Sequence, residues 1–431
     1  MKTLTNVRMQ TSLRMLSVKS TTMKKKWRSS LTVRTLTAIS ALFLVLSFGQ
    51  EHLTAQSIAV EAGVLHTGVS EPIENGVVLI EDGVITAVGS ASDISIGDQF
   101  ERLKAAVVTP GFIDAHSTVG LSGIYNVDAD QDQLETSSAI QPELRAIDAY
   151  NAREELVGYL RDLGITTVHT GHGPGAVISG QTMIVKTGGG DTIQEVLMDS
   201  VTALAMTMGS AVRSNFDKPG TRSKAVAMLR QALIDAQDYA SKEDKKRDLG
   251  KEALQALLEG EITALVTAHT VSDITTALRL QKEFGFPMML DGASEAYLLI
   301  DEIREAGVPV IIHPSMIRTY GDAQSASFTT AGVLAEAGIP VVFQSGYEAY
   351  VPKTRVVHFE AAIAVANGLS HDQAIRSLTI DAAKLLGIDD KVGSVEIGKD
   401  ADLALFDGDP FEYITNTTAV IINGEVVYRA E

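Results

Sequence analysis

The chain has 431 residues, 45% of them hydrophobic and 21% charged, with 36 Lys or Arg against 54 Asp or Glu and a formal charge of −18. That length allows one large domain or two ordinary ones, and so acidic a chain does not bind nucleic acid through its general field. It has no cysteine, which excludes disulfides, thiol catalysis, thiolate zinc sites and a lipoprotein anchor.

The first segment differs in character from the rest. Lys24, Lys25, Lys26, Arg28 and Arg34 precede the apolar run "LTAISALFLVLSF", residues 36–48. The run has the length of a signal-peptide core and is short for a membrane span. Residues 1–55 are therefore expected to be a signal peptide cut after Ala55, leaving Gln56 as N-terminus; an uncleaved N-terminal anchor is the competing reading. Met23 is an alternative start to Met1, because "MKKKWRSS" is a normal signal opening. Cleavage would leave 27 basic and 53 acidic residues, a charge of −26, in an exported, periplasmic or extracellular protein without a stable membrane anchor. A field of that sign draws in cations rather than anions.

Next comes "GVVLIEDGVITAVG", two alternating apolar runs joined by Asp82-Gly83. A matching hairpin, "AVIINGEVVYR" with Asn423-Gly424 in the turn, stands at the other end of the chain. Both dipeptides suit a two-residue type I′ turn. Isolated hairpins are marginal, so residues 56–108 and 388–431 are expected to form one small β-sandwich around a long insertion.

The insertion, residues 109–387, reads as alternating strands and helices. "NAREELVGYLRDLG" leads as a helix into the strand "ITTVHTG". "YASKEDKKRDLGKEALQ", residues 239–255, reads as a charged, solvated helical stretch. "SDITTALRLQKEF" is a helix with Ser272 as N-cap. "EFGFPMMLD", "EAGVPVIIH" and "EAGIPVVFQ" repeat one pattern: a helix end capped by Gly285, Gly307 or Gly338, then a proline, then an apolar strand. Such units predict a parallel sheet, and a TIM-like (β/α)8 barrel is the usual closed form at this length; an open doubly wound sheet is the alternative. "QTMIVKT" and "ALAMTM" are candidate extra strands.

In a barrel the strands' C-terminal ends build the active site. The residues there are His116 after "GFIDA", His169 and His172 in "TTVHTGH", His269 after "ALVTA", Asp291 after "MML", His313 after "VII", and Gln344 and Ser345 after "VVF". Five of nine histidines thus fall at strand ends, which points to a functional pocket. The glycine-rich "HTGHGPGAVISGQ" reads either as a loop contacting a ligand or as a permissive surface loop. His371, at a helix start, is expected to be solvated.

Four stretches carry a resemblance to a known family: "ENGVVLIEDGVITAVG", "VVTPGFIDAH", "GLSHDQAIRSLTIDAAKLLGIDDKVGSVEIGKDADLALFDGDPFE" and "VIINGEVVY". With the barrel pattern between them the chain resembles the amidohydrolase superfamily, nearest its imidazolonepropionase-like and prolidase-like branch, over nearly all of residues 57–431. The resemblance implies hydrolysis of a C–N bond in a small amide, cyclic amide or dipeptide. The agent would be a water activated by a divalent ion, zinc by expectation, held at the strand ends. It also tilts the chain towards a homo-oligomer or towards pairing with a catalytic relative. Carried over by position, His116 and His269 are the metal ligands, with His169, His172 and His313 as weaker candidates. Asp291 stands where a sixth-strand histidine is usual and is a candidate catalytic residue. Besides that position, three others depart from the pattern or have no secure match. Thr118 replaces the second histidine of His-x-His, Gly346 stands in the place of the eighth-strand aspartate, and Lys186 has an uncertain claim to be the bridging lysine. The readings are a rearranged mononuclear enzyme, a degenerate barrel that binds a small ligand without turnover, and a scaffold subunit.

Overall fold

The structure is a computed structural model, and it describes residues 57–125, 127–312, 319–347 and 356–431. The leader expected at 1–55 lies outside the described residues, as does His313. No helix among the described residues is long and apolar enough to cross a membrane.

Strands β1 (Ile58–Leu65), β2 (Ile73–Glu81), β3 (Val84–Ser90) and β4 (Glu101–Pro110) open the chain, and β14 (Leu403–Phe406), β15 (Thr417–Ile422) and β16 (Glu425–Arg429) close it. Together they make one seven-stranded sheet in the order β16-β15-β14-β4-β1-β2-β3. Both hairpins turn on a left-handed residue, Asp82 at φ 54° and Asn423 at φ 51°, as a type I′ turn requires. The sheet curls over its own apolar face. Ala401 N–H donates to the Gly83 carbonyl at 2.9 Å, and Ile85 N–H to that of Lys399 at 2.9 Å. Ile58, Val60, Ile80, Val108, Leu403 and Ile421 fill the space between, so the sandwich core is lined by one continuous sheet.

Between these strands lie β5 (Phe112–Ser117), β6 (Ile165–Gly171), β7 (Ile178–Lys186), β8 (Leu197–Asp199), β9 (Ala203–Thr207), β10 (Thr263–Ala268), β11 (Met288–Gly292), β12 (Val310–Ile312) and β13 (Val341–Phe343). All but β8 form a nearly closed barrel in the order β13-β12-β11-β10-β9-β7-β6-β5, with β8 paired to β7 on the side. The seam between β5 and β13 is joined by a bridge from Ser117 to Gly346. Ile113, Ile184, Leu265, Met289, Ile311 and Val342 meet inside as an apolar layer, and Ala382, Leu386, Ile388 and Val392 plug it from below. The lower barrel is therefore solid core.

Three local expectations change. Strand β7, the segment "QTMIVK", runs antiparallel to both β6 and β9. Only residues 172–177 separate β6 from β7, too few for a crossover, which needs about a dozen. The helix expected to start at Ser272 runs Val271–Phe284 and is capped by Thr270, whose hydroxyl accepts the Asp273 N–H. The charged stretch 239–255 is not one helix: Arg222–Ala240 ends, 241–248 runs non-helical, and Leu249–Glu259 begins under an Asp248 cap.

Candidate active site

The barrel's upper end is organised from β5. Register with β6 shifts between Asp114 and Ser117. This bulge lets Ala115 join the inner apolar layer while the next residue, His116, also turns inward. His116 is fully buried, and its Nδ1 lies 3.0 Å from Asp291 Oδ1 on β11. Its Nε2 has no hydrogen-bond partner among the described residues.

Asp291 is fully buried as well and accepts from two further parts of the barrel. Its Oδ1 also receives Gln344 Nε2, and its Oδ2 receives the Thr267 hydroxyl at 2.6 Å. Thr267, Asp291 and Gln344 each stand two positions beyond an inward apolar residue: Leu265, Met289 and Val342. The period-two alternation thus stacks a polar layer directly on the apolar one. Gln344 Oε1 and Ser345 Oγ, both buried, have no hydrogen-bond partner among the described residues.

Asp114 was not singled out by its sequence. It is fully buried, and its Oδ1 accepts the backbone N–H groups of Ser345 (3.1 Å) and His116 (3.3 Å), pinning β5 to the segment after β13. Burial pushes its carboxyl up to about 6, against the hydrogen bonds that favour the charged form. Its place two residues before His116 was the only signal available.

The other histidines divide. His269 is anchored at Nδ1 by Ser294 Oγ, 2.8 Å away. Its ring packs where a side chain on Gly292 would stand, since a Cβ there would come within 2.5 Å of Cε1. Burial lowers its pKa, against the raising fields of Asp291, Asp322 and Asp273. His169 is fully buried with both nitrogens engaged, Nδ1 donating to the Ala115 carbonyl at 2.8 Å and Nε2 paired with Thr182 Oγ1 at 2.7 Å. Burial, joined by the nearby His116, pushes it down to about 3. His172 lies in the short loop over the barrel mouth, against Gly180, and burial pushes it down to about 4 despite nearby Asp132. His371 is not simply solvated: its Nε2 meets the Asp409 carboxylate at 3.0 Å, and its ring lies 5.8 Å from that of His66.

The departures from the family pattern have structural counterparts. The Thr118 hydroxyl lies 2.8 Å from Ser122 Oγ and 3.3 Å from the Tyr347 carbonyl, fastening the loop after β5. Gly346 sits at φ 100°, a conformation that an aspartate would adopt only under strain. Lys186 ends the reversed strand β7 and so lies at the barrel's lower end, paired with Asp400 (2.7 Å), Asp402 (3.2 Å) and Asn423.

Catalytic zinc takes three protein N/O ligands plus water. Among the described residues no group of three or more His, Asp or Glu side chains could hold a metal ion. His116 Nε2 is a spare imidazole nitrogen, whereas His169 has both nitrogens occupied. The described residues therefore do not complete a metal cage, and no step is assigned to an ion.

A barrel inserted in a terminal β-sandwich, with a polar layer at its upper end, places the chain in the class of TIM-like barrel proteins. The chain belongs to the amidohydrolase family: the model for "Amidohydrolase family" matches residues 166–427. It is similar to the imidazolonepropionase of Fusobacterium nucleatum, 24% identical over 83% of this chain and 93% of that protein. It is also similar to the amidohydrolase tasK of Hapsidospora irregularis, 25% identical over 81% of this chain but only 39% of that longer protein. Among solved structures, an amidohydrolase from Thermotoga maritima superposes with a TM-score of 0.81 at 26% identity, over 86% of this chain and 100% of that one. A prolidase-like protein from Bifidobacterium longum shares the fold, with a TM-score of 0.53 at 16% identity over 87% and 95%. Family membership supports a hydrolase acting on C–N bonds.

Proposed function

We propose that the chain hydrolyses the C–N bond of a small amide-like molecule, a cyclic amide before a dipeptide, at the upper end of the barrel. The observation that carries this is His116, buried, anchored through Nδ1 to Asp291, with Nε2 unpartnered among the described residues. An unsatisfied buried polar atom costs ~1–3 kcal/mol, a cost a protein tolerates where a ligand supplies the missing partner. From that position an imidazole nitrogen takes the proton of an attacking water and returns it to the departing nitrogen. The similarity to imidazolonepropionases supports a cyclic amide. The family's usual divalent ion belongs to this reading as an expectation. A bound ion would lower the pKa of a water and polarise the carbonyl; His116 Nε2 would then be a ligand beside His269 in place of acting as the base, since its one lone pair serves one partner.

A second reading, binding without turnover, is supported by a glycine at φ 100° in the place of the aspartate and by the saturated His169. One experiment separates the two. The purified chain, with and without added zinc or manganese, is incubated with cyclic imides, imidazolones, N-acyl amino acids and X-Pro dipeptides, with products read by mass spectrometry. Turnover of at least one class, lowered about 10²–10⁴-fold by His116→Gln, is the expected result. Calorimetric binding without any product would overturn the hydrolase in favour of the binder. Elemental analysis of the same sample decides the ion. Export is part of the same proposal, supported by the basic and apolar leader; an N-terminus near Gln56 by mass spectrometry is expected, and an intact Met1 or Met23 would refute it.

A further inference from the structure

We infer that Asp291 is a positioning residue: it fixes His116 in the tautomer whose Nε2 lone pair faces the pocket. Its own oxygens are committed to the protein. Oδ1 receives His116 Nδ1 and Gln344 Nε2, and Oδ2 receives Thr267 Oγ1. A carboxylate has about four lone-pair sites, and three of them are filled by groups from β5, β10 and the end of β13. A carboxylate so surrounded is a poor base for a water molecule, which removes the role that its place in the chain first suggested.

The same contacts determine the imidazole. A carboxylate only accepts, so the shared hydrogen is on His116 Nδ1, and the neutral ring then carries its lone pair on Nε2. The arrangement is held from both sides. Thr267 and Gln344 keep the carboxylate from rotating, and the bulge at Asp114–Ser117 aims the ring at it. Gln344 is oriented in turn, since its amide nitrogen must face the carboxylate; its Oε1 is left buried beside the site without a hydrogen-bond partner among the described residues. Gln344 thereby offers an acceptor to a ligand N–H, next to an imidazole nitrogen that takes a proton.

The kinetic arm of the test rests on the hydrolytic reading of His116; the spectroscopic arm does not. Long-range ¹⁵N–¹H spectra are recorded on the full, histidine-labelled chain after chelation, with the His116 signals assigned by their loss in His116→Gln. The wild type should show the Nδ1–H form. In Asp291→Asn the amide N–H₂ can donate to His116 Nδ1 where the carboxylate only accepted, so Nε2–H should become populated. The kcat of whichever substrate is turned over should then fall by about 10³–10⁴-fold with KM held within a few-fold. Thr267→Val, which removes one clamp and conserves shape, should give a smaller shift in the same direction, and it carries the test alone if Asp291→Asn does not fold. A His116 spectrum unchanged in both variants would overturn the inference. If the tautomer shifts and no substrate is hydrolysed by the wild type, the positioning role stands and the hydrolytic reading falls.

Discussion

The two ends of the barrel each bury a charged side chain, and they treat it in opposite ways. At the lower end Lys186 is met by the carboxylates of Asp400 and Asp402 and by Asn423, all from the closing part of the chain. At the upper end Asp291 is met by an imidazole, a hydroxyl and an amide. Full ionic pairing at the bottom locks sandwich to barrel and leaves little for chemistry. A carboxylate held by polar side chains keeps its field, and it fixes a neighbouring group whose other nitrogen is unpartnered among the described residues. One end is a fastening and the other the candidate site, and the same reversed strand, β7, explains why the one buried lysine among the described residues serves the fastening.

That contrast can be broken most directly at Lys186. Lys186→Met leaves Asp400 and Asp402 without their cation, and Asp402 is already pushed up by burial. Removing one partner of a buried pair costs about 3–5 kcal/mol, so denaturant unfolding should show a loss of that size while the His116 tautomer stays as it was. A loss below about 1 kcal/mol would mean that the lower cluster is no fastening.

Acid should act next, mainly through the buried histidines. His169 and His358 are pushed down to about 3 and His172 to about 4, all chiefly by burial. The folded state then binds fewer protons than the unfolded one. Their contribution is complete above the ordinary histidine value of about 6.5 and is lost as pH falls below it, at about 1.4 kcal/mol per pH unit for each ring. Asp114 works the other way. Its pKa is raised to about 6, so the cost of its buried charge is present above that value and is relieved as pH falls towards the unfolded 3.8. Three groups outweigh one, and stability measured by urea titration should drop from pH 7 to pH 5. His358 lies away from the polar layer, packed against Phe112 and Phe359. His358→Phe should remove one ring's share of the slope, and an unchanged slope would refute its assignment as a neutral buried imidazole.

The smallest effect is at the seam. Gly346→Ala places a side chain at φ 100° and should cost about 1–2 kcal/mol. Gly346→Asp should cost a similar amount and confer no new turnover. A gain of activity there would show that the seam can relax and that the missing aspartate is the sole defect.

Patterns with a short period were legible in the sequence. The Asp82-Gly83 and Asn423-Gly424 turns, the left-handed Gly285 and Gly307 caps and the strand repeats needed only neighbours along the chain to be read. Strand β7 could be recognised as a strand, but its direction depended on counting the short loop before it. The site was legible as a set of strand ends and not as a set of bonds. Nothing local in "MMLDG" says that its aspartate meets His116, because that contact spans 175 positions and is created by a bulge. Thr267 was hidden by its ordinariness, and Asp114 by standing inside the motif that drew attention to His116.

The order of the strands has a consequence for how the chain is made. Strand β4 is hydrogen-bonded to β1 on one side and β14 on the other. The second partner begins only at Leu403, whereas β4 ends at Pro110. During synthesis β1–β4 can pair among themselves early, yet an apolar strand edge stays bare until almost the entire polypeptide exists. Such an edge recruits other chains, and closing it joins residues as far apart as Glu101 and Arg429, which meet in an ion pair at 2.7 Å. Completion of the sandwich therefore waits until nearly the whole chain exists. A chain truncated before β14 would keep most of its barrel sequence and be prone to aggregate, so the final hairpin acts as a checkpoint on the integrity of everything before it.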